Sequence, residues 1–130
     1  MSTELERIVR KLFDDLDQMN MDAVGERAAT DVQTVEEIRH RWMRSRDELK
    51  DYLAQLGSAV TDCRSQLIDI HEVSWGDTGL VTFWLEQSYL LDGEEQHVSA
   101  PTSMLFRRED GDWKAVLMHS IPVTPEEDDR

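Results

Sequence analysis

A chain of 130 residues has the length of one compact domain, enough to bury a core without disulfides or metals. Its 39% hydrophobic and 32% charged residues are ordinary for a soluble globular protein, but its formal net charge of −14 is not. So acidic a surface repels phosphate backbones and argues against nucleic acid and anionic membrane as partners. The single Cys63 excludes an internal disulfide and any paired-cysteine redox or zinc motif, which favours the cytoplasm. "MSTELERIVRKLF" lacks a secretory apolar run, and no stretch approaches membrane-spanning length.

The first half reads as helices. Thr3 and Glu6 have capping-box spacing. Behind them Leu5, Ile8, Val9, Leu12, Phe13, Leu16 and Met19 form an apolar stripe of period 3.6. Asn20 is a candidate cap for a short second helix in "NMDAVGERAA". Ser45 and Glu48 make another capping box, followed by Leu49, Tyr52, Leu53 and Leu56, with Gly57 as the expected stop. Between these helices "DVQTVEEI" reads as a short strand. Thr34 and Glu37 also have capping-box spacing, so one helix over 35–56 is the alternative. The order strand, loop, helix is favoured.

From residue 59 the period changes to two. "VTDCRSQLIDIHEVSW", "LVTFWLEQSYLL", "EQHVSAPTSMLFRR" and "WKAVLMHSIPV" read as four long strands joined by "GD", "DG" and "EDGD" turns. Three amphipathic helices before an antiparallel meander give an α+β domain over residues 1–123, with 124–130 an acidic tail.

Helix, short helix with "N-x-D", "A-x-D-V", helix, then a meander ending in "G-D-W-K…H-S-I-P" resembles the nuclear transport factor 2-like superfamily. The similarity is greatest to its SnoaL-like and ketosteroid-isomerase-like branch and spans roughly residues 4 to 123. That resemblance implies a cone, in which a curved antiparallel sheet wraps three N-terminal helices around a pocket, and it implies homodimers through the outer sheet face. It does not imply one activity.

In the ketosteroid isomerases a carboxylate base faces two acidic hydrogen-bond donors. The resemblance puts Glu36 at the base position. The tyrosine donor falls on Leu12, and the strand motif carrying the second donor reads "A-P-T-S" at 100–103, with Ser103 in place of the acid. Two of three positions depart, so steroid isomerisation of that kind is rejected.

On the strand face of Trp84 and Glu86, the "DG" register places His97, Ser99, Pro101 and Ser103. This row reads as a pocket wall or as a wet outer face. The pocket wall is preferred, because Phe83, Leu85 and Tyr89 would suit a dimer interface. His119 shares parity with Trp113, Ala115 and Leu117, and so reads as a hydrogen-bonded core histidine or as a donor to the ligand. Trp42 and Tyr52 are further candidate ligand contacts. "RHRWMRSR" over 39–46 could clamp an anion or merely balance an acidic surface. No two histidines have metal-ligand spacing, so neither metal nor cofactor is expected.

Two functions follow from these readings. One is lyase or isomerase chemistry on a small, partly apolar molecule, with Glu36 as base and His97, Ser103 or His119 as donors. The other is a non-catalytic module for ligand binding or dimeric association. The two differ in whether Glu36, His97 and Ser103 share one cavity.

Overall fold

The computed structural model describes residues 3–36 and 40–121, so Glu37 and the 124–130 tail lie outside the described residues. The helices are α1 (Glu4–Asp17), α2 (Met21–Glu26) and α3 (Arg46–Ala59), and two strands, β1 (Ala28–Glu36) and β2 (Arg41–Met43), lie between α2 and α3. Four long strands follow: β3 (Val60–Trp75), β4 (Thr78–Leu91), β5 (Glu94–Glu109) and β6 (Asp112–Ser120). All six strands join one curved sheet in the order β2-β1-β6-β5-β4-β3, with β1 parallel to β6 and the other pairs antiparallel.

Between 28 and 59 the expected strand precedes the helix, and the alternative of one helix over 35–56 does not form, because β2 lies inside that range. β2 carries no pattern long enough to have been expected, and α3 runs through Gly57 to Ala59. At the "DG" of 92–93 both residues have positive φ, 51° and 84°, as a type I′ hairpin requires. Asp110 and Gly111 repeat this at 50° and 80°.

The α1 stripe forms as its period predicts. Leu5, Val9 and Phe13 are buried, with Ile8, Leu12 and Leu16 packed beside them. They meet Val81, Phe83 and Leu85 of β4 and Met104 and Phe106 of β5. Phe13 packs edge-on to Phe83 with ring centroids 5.6 Å apart. Full burial of each such side chain contributes about 1.5–3 kcal/mol. Gly79 lets the first turn of α1 come this close, because a Cβ there would lie 2.5 Å from Leu5 Cδ1.

The polar ends of α1 are fastened differently from the capping-box reading. Thr3 is the N-cap but its hydroxyl caps nothing; the Glu6 amide instead donates to Glu72 Oε1 at 2.9 Å. Nor does the Asn20 side chain cap α2. Trp113 Nε1 donates to Glu4 Oε1 at 2.6 Å. At the other end Asp17, badly placed for the helix dipole, accepts from the Ser65 amide at 2.8 Å and hydroxyl at 2.6 Å. Ser45 does cap α3, accepting from the Glu48 amide at 3.1 Å.

Packing on α1 decides which face of the meander is inside, and the outcome corrects the sequence reading. Phe83 and Leu85 are buried under the helices, and Tyr89 shares their side. Trp84, Glu86, His97, Ser99 and Ser103 stand on the outer face of the sheet, where direct pairing aligns Trp84 with Pro101, Glu86 with Ser99 and Ser88 with His97. A stripe of Leu, Val and Phe can be covered only by the more apolar of the two rows.

His119 is corrected as well. The pairing of β5 with β6 slips between Leu105–Leu117 and Phe106–Ala115, leaving Val116 as an extra residue. This bulge inverts parity along β6. Trp113 and Ala115 therefore point inward, while His119 is exposed on the outer face.

Candidate functional site

Between the helices and the inner face of the sheet lies a chamber of about 170 Å³. α1 contributes Leu12 and Leu16, the α2–β1 junction Val24 and Arg27, and β1 Val32 and Thr34. α3 closes one side with Leu49, Tyr52, Leu53 and Leu56, and Leu85, Gln87, Met104, Met118 and Ser120 form the floor. A smaller space of about 80 Å³ next to it shares Leu16, Tyr52, Leu56 and Gln87 and reaches Cys63 and Tyr89.

The polar atoms in this wall are mostly engaged already. Gln87 donates to the Ser65 hydroxyl at 3.0 Å, and Ser120 shares a 3.1 Å hydrogen bond with Thr102. Burial, reinforced by the neighbouring Asp17 carboxylate, pushes the Cys63 thiol up to about 12, so it is not a nucleophile near neutral pH. No Asp, Glu or His lines the larger chamber among the described residues, and Arg27 is its one charged lining residue there.

Of the residues singled out in the sequence, Tyr52 lines the chamber. Glu36 ends the β1 row that runs through Val32 and Thr34. Its side chain is 3% exposed, and Oε2 accepts from Arg41 Nε at 2.7 Å. It is not among the lining residues of the chamber.

The remaining candidates collect on the outer face in two groups. In the first, Glu86 Oε1 accepts from Trp84 Nε1 and the Ser99 hydroxyl, each at 2.8 Å. Glu86 Oε2 lies 2.8 Å from His97 Nε2, and His97 Nδ1 lies 3.0 Å from the Ser88 hydroxyl. With Nε2 protonated, every member of this chain is satisfied. In the second, Trp84, Ser103 and His119 line an open groove with Asp69, His71 and Ile121. Trp42 stacks on His119 with ring centroids 6.2 Å apart, and Arg44 lies over Trp42. The structure thus does not bring Glu36, His97 and Ser103 into one cavity; the sheet separates them. Of the basic residues in 39–46, Arg41 is engaged with Glu36 and Arg44 lies over the Trp42 ring. No group of three potential metal ligands occurs among the described residues. Arg27 escaped the sequence reading because a lone arginine between a helix and a strand matches no motif.

A curved sheet folded over three helices around an apolar chamber defines an α+β cone of the nuclear transport factor 2-like, cystatin-like type. The chain belongs to the SnoaL-like domain family, whose model matches residues 5–124. A candidate scytalone dehydratase from Novosphingobium aromaticivorans superposes with a TM-score of 0.83 at 14% identity, covering 92% of this chain and 82% of that one. The CaMKII hub of S. rosetta gives 0.77 at 16%, covering 95% and 99%. A candidate dehydratase of the same fold from Streptomyces avermitilis gives 0.77 at 19%, covering 87% and 88%. At such identities the likeness shows the fold alone. No curated protein matches the chain. No helix among the described residues is long and apolar enough to cross a membrane.

Proposed function

We propose that the protein binds a small, mostly apolar organic molecule in the chamber between helices and sheet. The observation that carries this is the lining, mostly apolar, with Arg27 as its one charged member and no Asp, Glu or His among the described residues. An engineered apolar cavity of roughly 150 Å³ stays dry and takes up benzene. A chamber of about 170 Å³ accordingly suits a body of one ring. Binding would show in methyl NMR as shifts confined to Leu12, Leu53, Leu85 and Met104. Ala115→Leu, which adds three carbons to the chamber wall, is expected to abolish those shifts while far-UV circular dichroism is unchanged. Equal shifts in both proteins would place the ligand elsewhere and defeat the proposal.

A second reading adds turnover, and Glu36 is the observation that favours it. A carboxylate buried at the end of the β1 row, with Arg41 beside it, is chemically able to take a proton from a carbon next to a carbonyl. The folds named for dehydratases are compatible with such chemistry. If a substrate is consumed, Glu36→Gln should lower the rate by about 10²–10⁴ with little change in affinity. A rate within about twofold of the parent would remove Glu36 from the chemistry.

The outer sheet face supports a homodimer. The large apolar side chains left exposed among the described residues are Trp42, Ile68, Val73, Trp75 and Ile121. Ile68, Val73 and Trp75 share the face of Trp84 and Leu80 by direct pairing, and Trp42 and Ile121 flank His119 beside it. Apolar residues gathered so on one face mark an interaction surface, and resemblance to an association hub agrees with that use. Light scattering should give about twice the 15.1 kDa chain mass, and Ile68→Arg should shift it towards one chain. A parent protein that stays monomeric at high micromolar concentration would refute the dimer.

A further inference from the structure

We infer that the chamber's ligand carries a carboxylate on a one-ring body and that Arg27 receives it; this rests on the ligand-binding reading above. Arg27 stands at the end of α2 just before β1, where its carbonyl accepts from the Ala115 amide at 2.9 Å. Its Nη1 donates to the Trp113 carbonyl at 2.8 Å and to Asp112 Oδ1 at 3.0 Å. Those two bonds hold the guanidinium in place. Nε and Nη2, with three of its five N–H donors, make no hydrogen bond among the described residues.

Nothing else charged among the described residues lines the chamber, so a ligand's charge there has one possible partner. Asp112 does not fill that role, because its side chain is 56% exposed and pairs with Arg27 from the solvent side. An ion pair so exposed is weak and screened, leaving the guanidinium able to take a second anion in drier surroundings. Burial raises the Asp112 carboxyl, but the hydrogen bond and charge of Arg27 outweigh that and hold it below its ordinary value. Asp112 thus stays ionised beside Arg27 and offsets part of its charge, and Nε and Nη2 are the atoms left to meet a second anion.

The geometry of the charge selects a carboxylate. A planar guanidinium edge matches a planar carboxylate with two parallel hydrogen bonds. A phosphate dianion would bring two charges to a wall that compensates one, and uncompensated buried charge is costly. The strongly negative surface disfavours anions in general, so recognition must come from this local pair.

The test is an NMR titration of the full chain with benzoate and with neutral benzamide, using the parent, Arg27→Lys and Arg27→Met. Benzoate should bind the parent about 10-fold or more tightly than benzamide, as one charge-assisted hydrogen-bond pair implies. Arg27→Met should erase that preference, and Arg27→Lys should keep part of it, since charge remains but the fork is lost. If benzamide binds the parent as well as benzoate does, or if Arg27→Met retains the preference, the carboxylate inference is wrong and the ligand-binding reading stands. If neither compound shifts the chamber methyls, the ligand-binding reading fails and the inference with it. Should Arg27→Met not fold, the comparison of the two ligands on the parent decides alone.

Discussion

The contact between the apolar stripe of α1 and the inner rows of β4 and β5 is what the rest of the molecule depends on. Leu5, Val9 and Phe13 need an apolar surface, and Val81, Phe83, Leu85, Met104 and Phe106 supply it. Once those rows are committed, the alternation of the strands sends every neighbouring side chain to the opposite face. The facing of β4 and β5 and the position of the chamber follow from this one choice. The hydrogen bonds at Glu4, Glu6 and Asp17 then fix where the helix lies along the sheet.

This also explains how much of the protein was legible in its sequence. The strand limits of β3, the type I′ "DG" turn and the α1 stripe are local, carried by period and turn chemistry. They appear in the structure almost where the pattern puts them. The facing of β4 is not local. Phe83 with Leu85, and Trp84 with Glu86, both make acceptable buried rows until the partner surface is known. Trp84, Glu86, His97 and Ser99 on one face read as a pocket wall, yet they satisfy one another's hydrogen bonds on the surface. His119 lies opposite to its sequence parity for a smaller reason, since a single extra residue, Val116, inverts parity and leaves no trace in the pattern.

The two faces of the sheet thus divide the molecule's chemistry. Inside is an apolar chamber with Arg27 as its charged lining residue, and Glu36 is buried at the end of the strand that borders it. Outside is a polar network flanked by exposed Ile68, Val73 and Trp75, the composition expected of a surface that meets another surface. A catalytic constellation spanning both faces is not possible, because the sheet itself intervenes. Glu36 stands on the inner side, outside the lining of the chamber, whereas the outer groove holds Ser103 and His119.

The proposed binding role requires the chamber to be a mostly apolar space able to hold a guest. Xenon pressurisation of crystals tests it most directly, since xenon enters apolar cavities and needs no polar partner. A xenon peak is expected among Leu12, Leu53, Leu85 and Met104 on the inner side of the sheet. Ordered water filling that space, or xenon found only in the outer groove beside Trp84 and His119, would contradict it.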